Sequence, residues 1–149
     1  MPRVALLDVN VLVALFVPEH VHHEAAHDWF ADEHHHGWAT SPTTENGFVR
    51  VISQLPSDDG PLRPETIIER LRRFCASDRH HAWADDVSID DASLFVPSFI
   101  RGHRQVTDVY LLGLARKQGG RLVTFDRSIP LKAVKGATPA MLDVIAARD

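Results

Sequence analysis

Two short apolar runs, each ended by an aspartate, constrain this chain more than any other feature. Val4-Ala5-Leu6-Leu7 leads into Asp8, and Leu122-Val123-Thr124-Phe125 leads into Asp126. Runs of this length suit buried strands, which in parallel sheets lack the polar alternation of half-exposed ones. Between them the hydrophobic period becomes that of helices. Val9 to Val17 gives two helical turns, stopped by Pro18. His22 to Glu33 sets Ala25, Ala26, Trp29 and Phe30 on one face. Ser41-Pro42 opens a third helix, with Ser as cap and Pro at the first helical position, running to the neighbourhood of Pro56. Glu65 to Ser77 predicts a fourth, with Ile67, Leu71 and Cys75 on its apolar side. Ala92 to Ile100 predicts a shorter one. Thr107 is expected to cap a strong helix from Asp108 to Gln118, which Gly119-Gly120 ends. Gly37 to Thr40 reads as a second strand, Ala82-Trp83-Ala84 as an edge strand, and the tail as a turn with one more short element. Strands alternating with helices predict one three-layer α/β/α domain over residues 1–149, with a mainly parallel central sheet.

A chain of 149 residues can bury a core without staples. Cys75 is the sole cysteine, so no intrachain disulfide is expected. No apolar run approaches the roughly 20 residues of a membrane span, nor the roughly 7–15 of an export signal. A cytoplasmic protein without membrane contact is the expectation. The net charge of −4 argues against broad, phosphate-driven nucleic-acid binding. It leaves room for a nuclease whose acids hold cations, since two bound divalent ions would cancel it.

In parallel α/β folds, ligands bind beyond the carboxyl ends of the strands, where the following helices begin. Asp8 and Asp126 each follow a strand. Glu45 and Asp108 each lie in the first turn of a predicted helix. All four are therefore expected to converge. Two like charges ~5 Å apart repel by roughly 3 kcal/mol at an effective dielectric of 20, and a helix N-terminus offsets only about 0.3–1 kcal/mol. Raised pKa values or bound cations must meet the rest. Oxygen ligands suit Mg²⁺ or Mn²⁺, and phosphodiester hydrolysis is the chemistry that uses such ions best. Helix-dipole placement or a turn explains any one of these acids; the ordered set asks for more.

Leu6-Leu7-Asp8-Val9-Asn10, Thr44-Glu45-Asn46-Gly47, Gln105-Val106-Thr107-Asp108 and Leu122-Val123-Thr124-Phe125-Asp126 resemble, in order and spacing, the acidic motifs of PIN-domain ribonucleases. The resemblance is closest to the toxins of VapBC toxin–antitoxin pairs and covers nearly the whole chain. It implies that Asp8, Glu45, Asp108 and Asp126 hold Mg²⁺ or Mn²⁺, with Asn10 and Thr124 as polar supports. It also implies an RNA substrate, a cognate antitoxin whose C-terminal segment covers the site, and a homodimer. Arg101, His103 and Arg104 are candidates to meet RNA phosphates.

Two rivals share parts of this pattern. His23-Glu24-Ala25-Ala26-His27 is a literal H-E-x-x-H, the helical zinc motif of metalloproteases. Seven of the ten histidines crowd between His20 and His36, however, which makes an accidental match easy. A phosphoacceptor receiver domain is also α/β with clustered acids. It would want two adjacent acids after the first strand and a Lys after the last; Leu7-Asp8-Val9 and Asp126-Arg127 supply neither.

Overall fold

The computed structural model describes residues 3–146; the ends of the expected 1–149 domain, residues 1–2 and 147–149, lie outside it. Five short strands form one sheet: β1 (Ala5–Leu7), β2 (Trp38–Thr40), β3 (His80–Ala82), β4 (Arg121–Thr124) and β5 (Leu142–Val144). Their spatial order is β3-β2-β1-β4-β5. Every neighbouring pair is parallel. The apolar runs at the two ends of the chain thus lie side by side, with Leu7 in register with Val123.

Parallel neighbours need crossovers, and five helices supply them up to β4, while two 3₁₀ turns lead from β4 to β5. The helices are α1 (Val9–Phe16), α2 (His23–Glu33), α3 (Pro42–Ser53), α4 (Pro64–Cys75) and α5 (Val106–Lys117). Leu7, Trp38 and Val123 pack into a core with α1, α2, α3 and α4. Leu6, Ala39 and Leu122 face the opposite way, toward α5 and the segments around Phe95 and Val134. The central strands β1, β2 and β4 are covered on both faces, which is why they carry no polar alternation.

Three local expectations are corrected. Ala92 to Ile100 is not a helix; only Pro97–Phe99 makes a short 3₁₀ turn. Asp91 accepts from both the backbone N–H and the hydroxyl of Ser93, setting a turn instead. Phe95 then bridges Val134 in antiparallel fashion. Its ring, 2% exposed, takes the space beside Gly113, where an added Cβ would lie 2.3 Å from Cζ. The edge strand is His80–Ala82, not Ala82-Trp83-Ala84. Backbone bonds from Trp38 to Arg79 and from Trp83 to Thr40 fix that register, whatever the apolar content of the run. Thr107 is not a cap: a 3₁₀ turn over His103–Gln105 runs directly into α5, so Thr107 lies inside it. Gly119, at φ 71°, ends α5 as expected.

Candidate active site

Asp8 stands where β1 becomes α1. Its Oδ1 accepts from the backbone N–H of Val9 at 2.7 Å and caps the helix. Its Oδ2 accepts from the Thr124 hydroxyl at 2.8 Å. Thr124 Oγ1 accepts in turn from the backbone N–H of Asp126 at 3.1 Å. One buried hydroxyl therefore ties the two strand-end acids together. Asn10 is exposed on α1. It makes no hydrogen bond to the four acids among the described residues.

Three of the acids form one electrostatic group. Asp8 is 5% exposed. Burial raises its pKa, hydrogen bonds from Thr124 and Val9 oppose the rise, and Asp126 adds to it. Asp108, in the first turn of α5, is pushed up to about 7 by burial first, then by the charges of Asp8 and Asp126. Asp126 moves the other way, because the Ser128 hydroxyl and backbone N–H both donate to its Oδ1, at 2.6 and 2.8 Å. A protonated Asp108 donates to Asp126, so these two titrate as a coupled pair.

Glu45 is held differently. The α3 cap box of Ser41 and Thr44 places it in the first helical turn. The hydroxyl of Thr40, the last residue of β2, donates to Glu45 Oε2 at 2.7 Å. Thr40 Oγ1 also lies 2.8 Å from His80 Nε2. Burial lowers the His80 pKa, Glu45 opposes this, and His81 reinforces it. The Cys75 thiol is pushed up to about 11, by burial first and then by Glu45. A thiol held protonated is no nucleophile.

Among the described residues, no three His, Cys, Asp or Glu side chains form a ready cage for one ion. The all-oxygen donor set and the proton taken up by Asp108 nevertheless fit a hard divalent cation. Mg²⁺ commonly binds through one or two carboxylates and keeps several waters or substrate phosphates as further ligands.

The other sequence candidates lie on the segment leading into α5 and on α2. Arg101, His103 and Arg104 are exposed on the segment leading into α5. Gln105 accepts from the Arg101 backbone and donates to the Ser128 carbonyl, lacing this segment to the loop that carries Asp126. His23 Nδ1 and His27 Nε2 each lie 2.7 Å from α1 carbonyls, those of Ala14 and Leu15. They join α2 to α1 and are not gathered with a third ligand. His22 stacks on Phe125, with centroids 4.4 Å apart.

Thr40, His80 and Asp85 were not legible as site residues. Asp85 accepts from the Thr43 backbone and hydroxyl at the start of α3, at 2.9 and 2.7 Å. Thr40 did carry a signal: like Thr124, it is a hydroxyl that ends a short apolar strand.

The PIN domain family model matches residues 5–135. Ribonuclease VapC44 of Mycobacterium tuberculosis is 48% identical over 134 residues, covering 90% of this chain and 94% of that protein. Ribonuclease VapC39 of the same organism is 43% identical over 132 residues, covering 89% and 95%. The crystal structure of Mycobacterium tuberculosis VapC20, a Sarcin-Ricin loop cleaving toxin, aligns with a TM-score of 0.57 at 11% identity, covering 78% of this chain and 85% of that one. At that identity the likeness speaks for the fold alone.

Proposed function

The chain belongs to the PIN-domain family, and from that premise we propose that it is a metal-dependent endoribonuclease, the toxin of a toxin–antitoxin pair. The carrying observation is the coupled set Asp8, Asp108 and Asp126 at the carboxyl ends of β1 and β4. Relatives named ribonucleases, at 43–48% identity over almost their full lengths, support the same reading.

Each acid has a distinct task. Asp8 presents a carboxylate whose orientation is fixed by Val9 and Thr124. Asp126 stays ionised because Ser128 donates to it twice. Asp108, raised to about 7, shares its proton with solvent near neutral pH, and a cation held beside it would favour the ionised form. Glu45 is kept in place by Thr40. Mg²⁺ or Mn²⁺, when bound, would lower the pKa of water and neutralise the scissile phosphate. Arg101, His103 and Arg104 would meet the flanking phosphates, fixing RNA beside the acids without reading its sequence.

The same acidic end suits a protein inhibitor. A cognate antitoxin with a basic side chain inserted among the acids would relieve the repulsion that metal relieves. A homodimer and a cytoplasmic setting belong to this reading; no helix of the described residues is long and apolar enough to cross a membrane.

Purified protein should cleave RNA with Mg²⁺ or Mn²⁺, lose activity in EDTA, and recover it when either ion returns. Activity restored by Zn²⁺ alone would move the site to the histidine-rich segment. Co-purification from the native host should bring down a small protein; a chain that always isolates alone and is harmless when overproduced would refute the toxin role.

A further inference from the structure

We propose that His80 and Thr40 form a positioning relay for Glu45, so that the edge strand β3 helps fix where this carboxylate points; the inference rests on the nuclease reading above. Thr40 is fully buried and has one hydroxyl proton to give. Its oxygen lies 2.7 Å from Glu45 Oε2 and 2.8 Å from His80 Nε2. Cys75 also meets Thr40, but its sulfur is a weak acceptor, whereas an ionised carboxylate can only accept, so the hydroxyl proton goes to Glu45. His80 must then donate, which places its proton on Nε2. The order is His80 Nε2–H to Thr40 Oγ1, and Thr40 O–H to Glu45 Oε2. Each bond polarises the next.

The sheet builds this order. His80 is in register with Trp38, and Thr40 with Ala82, so Thr40 and His80 sit diagonally on neighbouring strands. Trp38, 1% exposed, lies against His80 with centroids 4.6 Å apart. Phe30 and Phe74 pack on that indole in turn. An apolar ring at position 80 would keep the contact with Trp38. Only the bond to Thr40 requires a nitrogen there. One oxygen of Glu45 is thereby held, and the other accepts no hydrogen bond among the described residues.

Four variants of the full chain separate positioning from packing. Thr40→Val keeps the shape and removes the hydroxyl, whereas Thr40→Ser keeps the hydroxyl. His80→Phe keeps the ring contact and removes the donor, whereas His80→Gln places an amide N–H near the Nε2 position. Long-range ¹H–¹⁵N spectra of the unmutated protein should show His80 protonated on Nε2, with that signal displaced in Thr40→Val. Thr40→Val and His80→Phe should each lower kcat on RNA by roughly 10–100-fold, the scale for groups that orient metal-binding carboxylates. KM for RNA should be unchanged, and Mn²⁺ binding by calorimetry should weaken. Ser and Gln should restore most of both. His80 protonated only on Nδ1 in the unmutated protein, or Thr40→Val with undiminished kcat and Mn²⁺ binding, would overturn the relay. Unmutated protein that shows the expected tautomer yet cleaves no RNA would support the relay and sink the nuclease reading.

Discussion

The two halves of the acidic end hold the same kind of group by opposite means. Asp8, Asp108 and Asp126 push on one another, and one of them keeps a proton up to about pH 7. Glu45, across at the start of α3, rests on an uncharged hydroxyl. The first half is primed by repulsion and eased by any cation. The second is fixed beforehand by the sheet. On the nuclease reading proposed above, such a site would separate attracting an ion from aiming a ligand, and the two tasks should fail differently when altered.

The largest effect should come from the repelling half. Asp126→Asn and Asp108→Asn should each cut RNA cleavage by about a hundred- to a thousandfold, on the scale of losing one preorganised electrostatic contact to a transition state. Asp108→Asn retains an N–H that can donate to Asp126, so the metal-free protein should melt no lower than the parent. A drop of many degrees in that variant would make Asp108 a structural residue. Thr124→Val comes next. It removes the hydroxyl joining Asp8 to Asp126 and should cost roughly 10–100-fold in activity or Mn²⁺ affinity. Undiminished activity there would break the link between the two strand-end acids.

A pH series sharpens the same contrast more gently. The folded pKa values of Asp108 and Asp8 are raised, so the folded protein binds more protons than the unfolded chain at mildly acid pH. Their stabilisation is fully present below about pH 4 and is lost as pH rises through the folded values, about 7 for Asp108. Asp126, lowered, acts oppositely, and its contribution is lost only as pH falls below the ordinary carboxylate range. His20 and His80, whose pKa values are lowered by burial, act oppositely over part of this range, so the contrast with Asp108→Asn isolates the aspartate. Without metal, the Tm of the parent relative to Asp108→Asn should fall between about pH 4 and pH 8. A difference that stays constant or grows over this range would contradict the coupled set. The smallest effect on activity belongs to His23→Ala with His27→Ala. RNA cleavage per folded molecule should hardly change. Stability should drop by about 0.5–1.5 kcal/mol for each lost bond to an α1 carbonyl, as denaturant melts would register.

What could be read from the chain follows the range of the cause. The placement of the four acids was legible because each sits at a local boundary, a strand end or a first helical turn. The edge strand was misplaced because its apolar residues lie past its end, and its register depends on backbone bonds to β2. The segment from Ala92 to Ile100 has apolar residues enough for a helix, yet pairing with Val134 claims them. A link from His80 to Glu45 was not legible because Thr40, which touches both, is forty residues away from His80.

Asp8 carries a consequence for how faithfully this chain must assemble. Its backbone N–H bonds Val123, one carboxylate oxygen caps α1, and the other meets Thr124. That hydrogen-bonding arrangement exists only in the register that sets Leu7 beside Val123. A slip of one residue would turn Thr124 to the opposite face of the sheet and leave a buried carboxylate without its donor. Molecules paired out of step would thus be inert as well as less stable. For this chain, measuring activity is also a way of counting correctly threaded molecules.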